Sequence, residues 1–274
     1  MKNRNVLIVN DCRDENARIR QILRAKSCFP DADVQFVGVS NTLEAGGLIL
    51  DAVDTASNRP LIVLVNVAPR NGEARKWGNG VPFGRLCIEQ TLIVGTVDGF
   101  IFSLLQKALG KKLVVEYYSV EDCVPYFGVS TQEQQKIITT QFRSLEFLPL
   151  LARQLSKVNN LPINGVVQPA TVESAVWWVD NFGNSKTTIL PEDIDFCPGE
   201  TVCLFVKDEA VSYLARHYFV SCYKQLKDVP DNKVGIIIGS SGLGDKRFLE
   251  IVLQGGSAAQ FFGIKSGVTL YVER

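Results

Sequence analysis

Three short segments combine polar side chains with small residues in the manner of a ligand site. The run NVLIVN ends in Asn10 and is followed by Asp11. A carboxylate at the end of a buried strand can accept two hydrogen bonds from a ribose 2′,3′-diol. The same Asp also suits the N-cap of a following helix. The second segment is Asp180-Asn181-Phe182-Gly183-Asn184. Its Asn side chains carry donor and acceptor together, which fits the edge of a purine. Phe182 offers a face for stacking, and Gly183 permits a tight turn. A β-hairpin turn would use the same residues for backbone reasons alone. The third segment is Gly239-Ser240-Ser241-Gly242, which leads into FLEIVLQGGSAA. Small residues there let backbone amides approach a ligand, or form a flexible hairpin. The single histidine, His217, lies in YLARHYF and reads more readily as structural than as a base.

The elements that must carry these segments follow from periodicity. Asn5 to Asn10, Val34 to Val39, Leu61 to Val67, Leu92 to Val97 and Leu113 to Tyr118 are short apolar runs of buried-strand type. Residues 14–28 and Leu43 to Val53 have helical spacing between them. Residues 133–157 read as one or two helices broken near Pro149. This alternation predicts an α/β domain over residues 1–158, with a mostly parallel sheet flanked by helices. The Gly-rich stretch 68–83 (APRNGEARKWGNGVPF) follows a strand, so it falls at the sheet edge where such domains bind ligands. Residues 159–170 are rich in Asn, Pro and Gly and read as a linker. Short strands separated by turns then predict a smaller all-β, barrel-like domain over 171–274, with a helical stretch near 208–217.

Composition limits the possible partners. Lys plus Arg number 29 and so do Asp plus Glu, so no net field draws nucleic acid or an anionic membrane. No apolar stretch approaches the roughly 20 residues of a membrane helix. The start MKNRNVLIVND lacks the apolar core of a signal peptide. Seven cysteines form no CxxC pair, and the lone His with scattered carboxylates makes no metal-ligand set. The expectation is a cytoplasmic protein with no metal, no resident cofactor, no nucleic-acid partner and no membrane segment.

In this order and spacing, the segments resemble the S-adenosylmethionine (SAM) hydrolase, chlorinase and fluorinase family. DNFGNSKTTI is similar to the family pattern D-x-F-G-N-x-x-T-N-I. GSSG together with FLEIVLQGGSA is similar to G-S-S-G-F-L-E-I-A-V-N-x-G-S-A. Asn10-Asp11, Glu44-Ala45-Gly46 and Val97-Asp98-Gly99 stand at looser N-terminal family segments. The resemblance implies a homotrimer that holds a nucleoside between one subunit's N-terminal domain and a neighbour's C-terminal domain. Asp11 would hold the ribose diol. Phe182 and Asn184 would contact adenine, with backbone near Gly256, Ser257 and Ala258. Asp180 and Ser240 would hold the methionine end.

The implied reaction is attack of water on the ribose 5′ carbon, giving adenosine and L-methionine. Sulfonium is already a good leaving group, so the site must position and partly deprotonate a water rather than supply an acid. Family hydrolases use an Asp, an Arg and a His. In the matching segment of this chain Ala68 replaces the Asp and Arg75 is retained. Gln141 or Phe142 stands where the His is expected. Arg75 would then orient the nucleophile, and Asn71, Glu73 or Gln141 would stand in for the base. The alternative is a non-catalytic SAM- or adenosine-binding protein of the same fold.

Overall fold

The computed structural model describes residues 5–67, 77, 80–157, 160–207 and 215–273. The chain divides into two compact units, residues 1–106 with 111–170 and residues 107–110 with 171–274.

The first unit begins as the apolar pattern requires. Strand β1 (Asn5–Asn10) leads into helix α1 (Glu15–Cys28). Strand β2 (Asp33–Gly38) leads into helix α2 (Thr42–Ala56), and strand β3 (Leu61–Asn66) follows. Each helix start is chemically marked. Asp14 accepts from the Ala17 N–H at 2.9 Å, and Asn41 accepts from the N–H groups of Leu43 and Glu44. Such caps satisfy donors that the first helical turn leaves open.

Beyond β3 come β4 (Phe83–Ile88), β5 (Thr91–Thr96), α3 (Ser103–Leu109) and β6 (Val115–Tyr118). The helices α4 (Val120–Cys123), α5 (Thr131–Thr139), α6 (Arg143–Glu146) and α7 (Leu148–Leu155) follow, and then β7 (Gly165–Val167). Pro149 lies in the first turn of α7 rather than breaking a longer helix, where its missing N–H has no intrahelical partner to lose.

The sheet order is β2-β1-β3-β5-β4-β6-β7. The pairs β1–β2, β1–β3 and β3–β5 are parallel. The pairs β4–β5, β4–β6 and β6–β7 are antiparallel. The sheet is therefore mixed, which corrects the expectation of a mostly parallel one. The cause is β4. Its sequence FGRLCI breaks apolar continuity with Gly84 and Arg85, so it does not read as a buried strand. It nevertheless forms a hairpin with β5 across Glu89-Gln90, where Glu89 takes the left-handed conformation (φ 50°). Strand β7 also draws part of the Asn/Pro/Gly-rich stretch 159–170 into this sheet.

One face of the sheet packs Val6, Ile8, Ile62, Leu64, Leu92 and Val94 against Ala25 and Cys28 of α1 and Leu151, Ala152 and Leu155 of α7. Helix α2 lies against β1 and β3.

The second unit is built on one sheet of order β14-β10-β11-β12-β13-β9-β8. Its strands are β8 (Val176–Val179), β9 (Ser185–Thr187), β10 (Thr201–Lys207), β11 (Ala215–Tyr223), β12 (Val234–Leu243), β13 (Lys246–Leu253) and β14 (Leu270–Glu273). The short helix α8 (Ala258–Phe262) precedes β14. An antiparallel bridge from Ala175 to Thr269 links the two edge strands' flanks, so the sheet curls into a half-barrel. Val202, Leu204, Val220, Ile236, Leu249, Ile251 and Phe262 fill its interior. Of the stretch expected to be helical, residues 208–214 lie outside the described residues, and residues 215–217 belong to β11. His217 is exposed there, its ring 6.1 Å from Phe205. Alternation of buried and exposed residues along β10 explains why period two wins here.

Tyr118 gives the first unit a measurable alkaline sensitivity. Its side chain is buried and its hydroxyl donates to Glu116 at 3.1 Å. Burial pushes its pKa up to about 12, and the nearby Glu116 carboxylate adds to the effect. In the unfolded chain the phenol ionises near its ordinary value of about 10. The folded value is the higher, so this contribution is complete below pH of about 10 and is lost as pH rises toward 12. Urea unfolding at pH 9 and 11.5 should show a loss of roughly 1–2 kcal/mol from this group. Tyr118→Phe should remove that part of the loss, leaving the part due to the buried Cys123 thiol, which burial also pushes to about 12.

Candidate functional site

In the first unit the ends of β1, β3 and β5 meet at one sheet edge. Asn10 is buried, and its Oδ1 accepts from the Cys12 N–H at 2.9 Å and from Asn66 Nδ2 at 3.5 Å. The Asp11 N–H donates to the Asn66 carbonyl. Asp14, not Asp11, caps α1, so the N-cap reading of Asp11 does not apply. Thr96 on β5 donates to the Val67 carbonyl at 2.9 Å. Helix α2 reaches the same edge. A side chain at Gly46 would come within 2.6 Å of the Phe100 carbonyl, so the Glu44-Ala45-Gly46 and Val97-Asp98-Gly99 segments are packed together. Glu44 is buried and accepts from the Ser40 N–H.

Of the residues expected to handle water, Asn71, Glu73 and Arg75 lie outside the described residues, as does Ala68. Gln141 is exposed, and Phe142 is 63 % exposed. Arg143, two residues on, is the anchor of this segment. Its guanidinium donates to the Val81 carbonyl at 3.0 Å and to the Gly80 carbonyl at 3.4 Å, and it lies over the Phe83 ring. Burial lowers its pKa, with Glu121 acting in the opposite sense.

In the second unit the structure gathers two of the sequence segments into one surface. Asp180 to Asn184 forms the hairpin turn between β8 and β9, closed by the Asp180 N–H to the Asn184 carbonyl at 3.0 Å. The Asp180 carboxylate holds this turn from within. Oδ1 accepts from the N–H groups of Phe182 and Asn184, and Oδ2 accepts from Asn184 Nδ2. The turn leaves Phe182 72 % exposed.

Gly183 is the contact point with the second segment. It is buried at φ +84°, and an added Cβ would overlap the Ser257 hydroxyl and lie 2.8 Å from its Cα. The Ala259 N–H donates to the Gly183 carbonyl at 2.9 Å. Ser257 in turn caps α8 by accepting from the Gln260 N–H. Gly256 is exposed and Ala258 fully buried, so any ligand contact at this stretch falls on backbone rather than on the Ala258 methyl.

Residues 240–241 join this surface through the sheet. Strand β13 pairs with β9, placing Glu250 opposite Lys186, two residues after Asn184. The Ser240 N–H and hydroxyl both donate to Glu250 Oε1, at 3.0 and 3.2 Å. Lys186 donates to the hydroxyls of Ser240 at 3.0 Å and Ser241 at 2.8 Å. Lys186 and Glu250 were not among the residues expected from sequence. The available signal was the carboxylate itself, since a charge inside the apolar run FLEIVL needs a partner.

Comparison with known proteins gives a family likeness for the second unit and a fold likeness for the chain. Residues 174–271 match the family model described as the SAM hydroxide adenosyltransferase C-terminal domain. The C-terminal unit is thus similar to the SAM hydroxide adenosyltransferase C-terminal domain. Its matched span contains Asp180, Phe182, Asn184, Ser240, Gly256, Ser257 and Ala258. Over the whole chain the fold is similar to two solved structures. One is an uncharacterized conserved protein from Thermotoga maritima, at TM-score 0.66 and 16 % identity, covering 97 % of this chain and 99 % of that one. The other is a conserved hypothetical protein from Thermus thermophilus, at TM-score 0.56 and 18 % identity, covering 98 % and 99 %. No curated protein matches the chain. Among the described residues, no group of three His, Cys, Asp or Glu could hold a metal ion, and no helix is long and apolar enough to cross a membrane.

The C-terminal unit therefore rests on a backbone contact that tolerates no side chain. Gly183→Ala should lower its stability by roughly 1–3 kcal/mol, through overpacking against Ser257 and a left-handed backbone. Ser257→Gly in the same chain should recover part of that loss. Denaturant midpoints of the single and double variants check this. Equal midpoints for wild type and Gly183→Ala would show the two segments are not in contact.

Proposed function

We propose that this chain binds SAM and hydrolyses it to adenosine and L-methionine. The observation that carries the reading is the fusion of the 180–184 turn with residues 256–258 through Gly183. It presents an exposed Phe182 ring beside the polar Asn184 and a backbone shelf. An aromatic face with an adjacent amide is the minimal equipment for a purine: the ring stacks and the amide reads an edge. Asp11 is proposed to accept from the ribose diol. Ser240 is proposed to meet the methionine end, with Asp180 acting there through the turn it holds. The homotrimer that the resemblance implies is part of the same proposal, and sedimentation tests it.

In the proposed reaction, water attacks the 5′ carbon in line with the sulfonium. A C–O bond forms, the C5′–S bond breaks, and its electron pair passes to sulfur to give methionine. The water's proton leaves to a base or to solvent. Arg75 is proposed to orient the attacking oxygen, and Asn71, Glu73 or Gln141 to draw on its proton. Positioning alone supplies a large share of such a barrier, because the leaving group needs no protonation.

A second reading, binding without turnover, is favoured by a specific observation. Ala68 cannot accept a proton, and the Gln141–Phe142 segment that stands in place of the expected His is exposed.

Incubating purified protein with SAM and following adenosine by chromatography separates the two. Adenosine release that is lost in Arg75→Ala supports hydrolysis. Binding without release selects the second reading. Phe182→Ala should weaken adenosine binding roughly 10–100-fold, the usual worth of one base–aromatic stack. If neither adenosine nor SAM raises the melting temperature, both readings fail, because a ligand selective for the native state must stabilise it.

A further inference from the structure

The half-barrel leaves one aromatic face uncovered. Along β10 the side chains alternate. Val202, Leu204 and Val206 fill the interior, so Cys203, Phe205 and Lys207 lie on the outer side. Pairing with the two neighbouring strands extends that side. Cys203 stands between Phe219 of β11 and Glu273 of β14, and Phe205 between His217 and Tyr271. Directly opposed residues share a face. The result is two adjacent rows, Phe219-Cys203-Glu273 and His217-Phe205-Tyr271, with Lys207 one row further on. Phe219 is 77 % exposed and Tyr271 51 %, and His217, Glu273 and Lys207 are exposed as well. These strands stand at the other end of the sheet order from β8 and β9, so the face is no part of the site proposed above.

Shape and charge decide what fits this face. A sheet surface packs well on another sheet surface, about 10 Å away with side chains interdigitated. The two charges stand apart along β10. Lys207 is at one end, and Glu273 is beside Cys203, about 13 Å away at strand spacing. Among the described residues neither takes part in an ion pair. A copy of the same face turned end over end therefore brings Lys207 of each toward Glu273 of the other, with Phe205 and Tyr271 near the centre. A two-fold axis makes such a contact from one patch alone. A lipid surface would instead call for an excess of cations around the aromatic residues.

We infer that this face is a docking surface for a second copy of the chain, with the two half-barrels stacked outer face to outer face about a two-fold axis. Phe219, Phe205 and Tyr271 supply the buried apolar area, and the Lys207–Glu273 pairs set the antiparallel alignment. The inference does not use the SAM reading. It is also distinct from the proposed trimer, since a three-fold contact joins two different patches and this one joins a patch to itself. The unit that doubles is the single chain or that trimer. Two rows of side chains make a small interface, so doubling should depend on concentration.

Sedimentation of the full chain over a range of concentrations tests the inference. With rising concentration wild type should approach twice the mass of Phe219→Ser. That variant should raise the dissociation constant for doubling at least roughly tenfold, the effect of losing a central aromatic anchor. Lys207→Glu should weaken doubling roughly 3–10-fold by setting like charges against each other. Adding Glu273→Lys to Lys207→Glu should restore most of the loss, which guards against a variant that simply folds poorly.

Equal masses for wild type and Phe219→Ser at every concentration would overturn the inference. So would a threefold mass ratio, which would give the face to a three-fold contact. Failure of Glu273→Lys to recover the Lys207→Glu loss would overturn the antiparallel alignment. A wild type that never doubles but pellets with phosphatidylglycerol vesicles would assign the face to lipid instead. SAM and adenosine binding are read separately, so none of these outcomes is confused with failure of the nucleoside site.

Discussion

The site proposed for the C-terminal unit depends on one missing side chain. At Gly183 the chain turns with positive φ and presses its backbone onto Ser257. This close approach joins a hairpin turn to the start of a helix that follows it by more than seventy residues in sequence. Ser257 is at once the surface that Gly183 rests on and the N-cap of α8. The turn cannot move without disturbing the helix start, and the helix cannot shift without losing the Ala259–Gly183 bond. This fixed turn holds Phe182 out in solvent rather than folded back onto the protein; a stacking platform there is part of the proposed site. The cost of leaving a large ring in water is met by the packing on either side of it.

The carboxylates of the second unit show how similar residues serve different ends. Asp180 spends both oxygens inside its own turn, on three donors. That arrangement builds the conformation that leaves Phe182 exposed beside Asn184. Glu250 instead points its charge at Ser240 and Lys186, where it sets the electrostatics of an exposed corner. A motif match treats both as positions in a pattern. Hydrogen-bond accounting assigns one to shape and the other to charge.

Legibility in the sequence followed the physics of each segment. The parallel core β1, β2, β3 and β5 was readable because its strands are continuous apolar runs. The positions of β9 and β13 were readable because turn residues bound them. Strand β4 was not, since Gly84 and Arg85 interrupt its pattern and only pairing with β5 and β6 reveals it. With β7 at the edge, that strand changes the sheet from mostly parallel to mixed. Residues 215–217 resembled a helix because ARHYF mixes apolar and polar residues without clear alternation, and tertiary pairing with β10 decides the matter. In the site, the residues with unusual chemistry in a turn (Asp180, Phe182, Gly183, Asn184) were legible. Lys186 was not, because a lysine in a short strand looks like a solvated edge until the strand beside it is known.

The N-terminal unit completes the physical argument through its sheet edge. Asn10 and Asn66 occupy equivalent ends of adjacent parallel strands and bond to each other across the register. That leaves the backbone after β1 to turn outward through Cys12, whose N–H is tied to Asn10, before α1 is capped by Asp14. Asp11 is thereby placed at the rim by its neighbours, with the capping work done three residues later. Arg143 in turn gives a partly buried guanidinium to two backbone carbonyls, at Gly80 and Val81. It secures the point where the chain enters the sheet at β4.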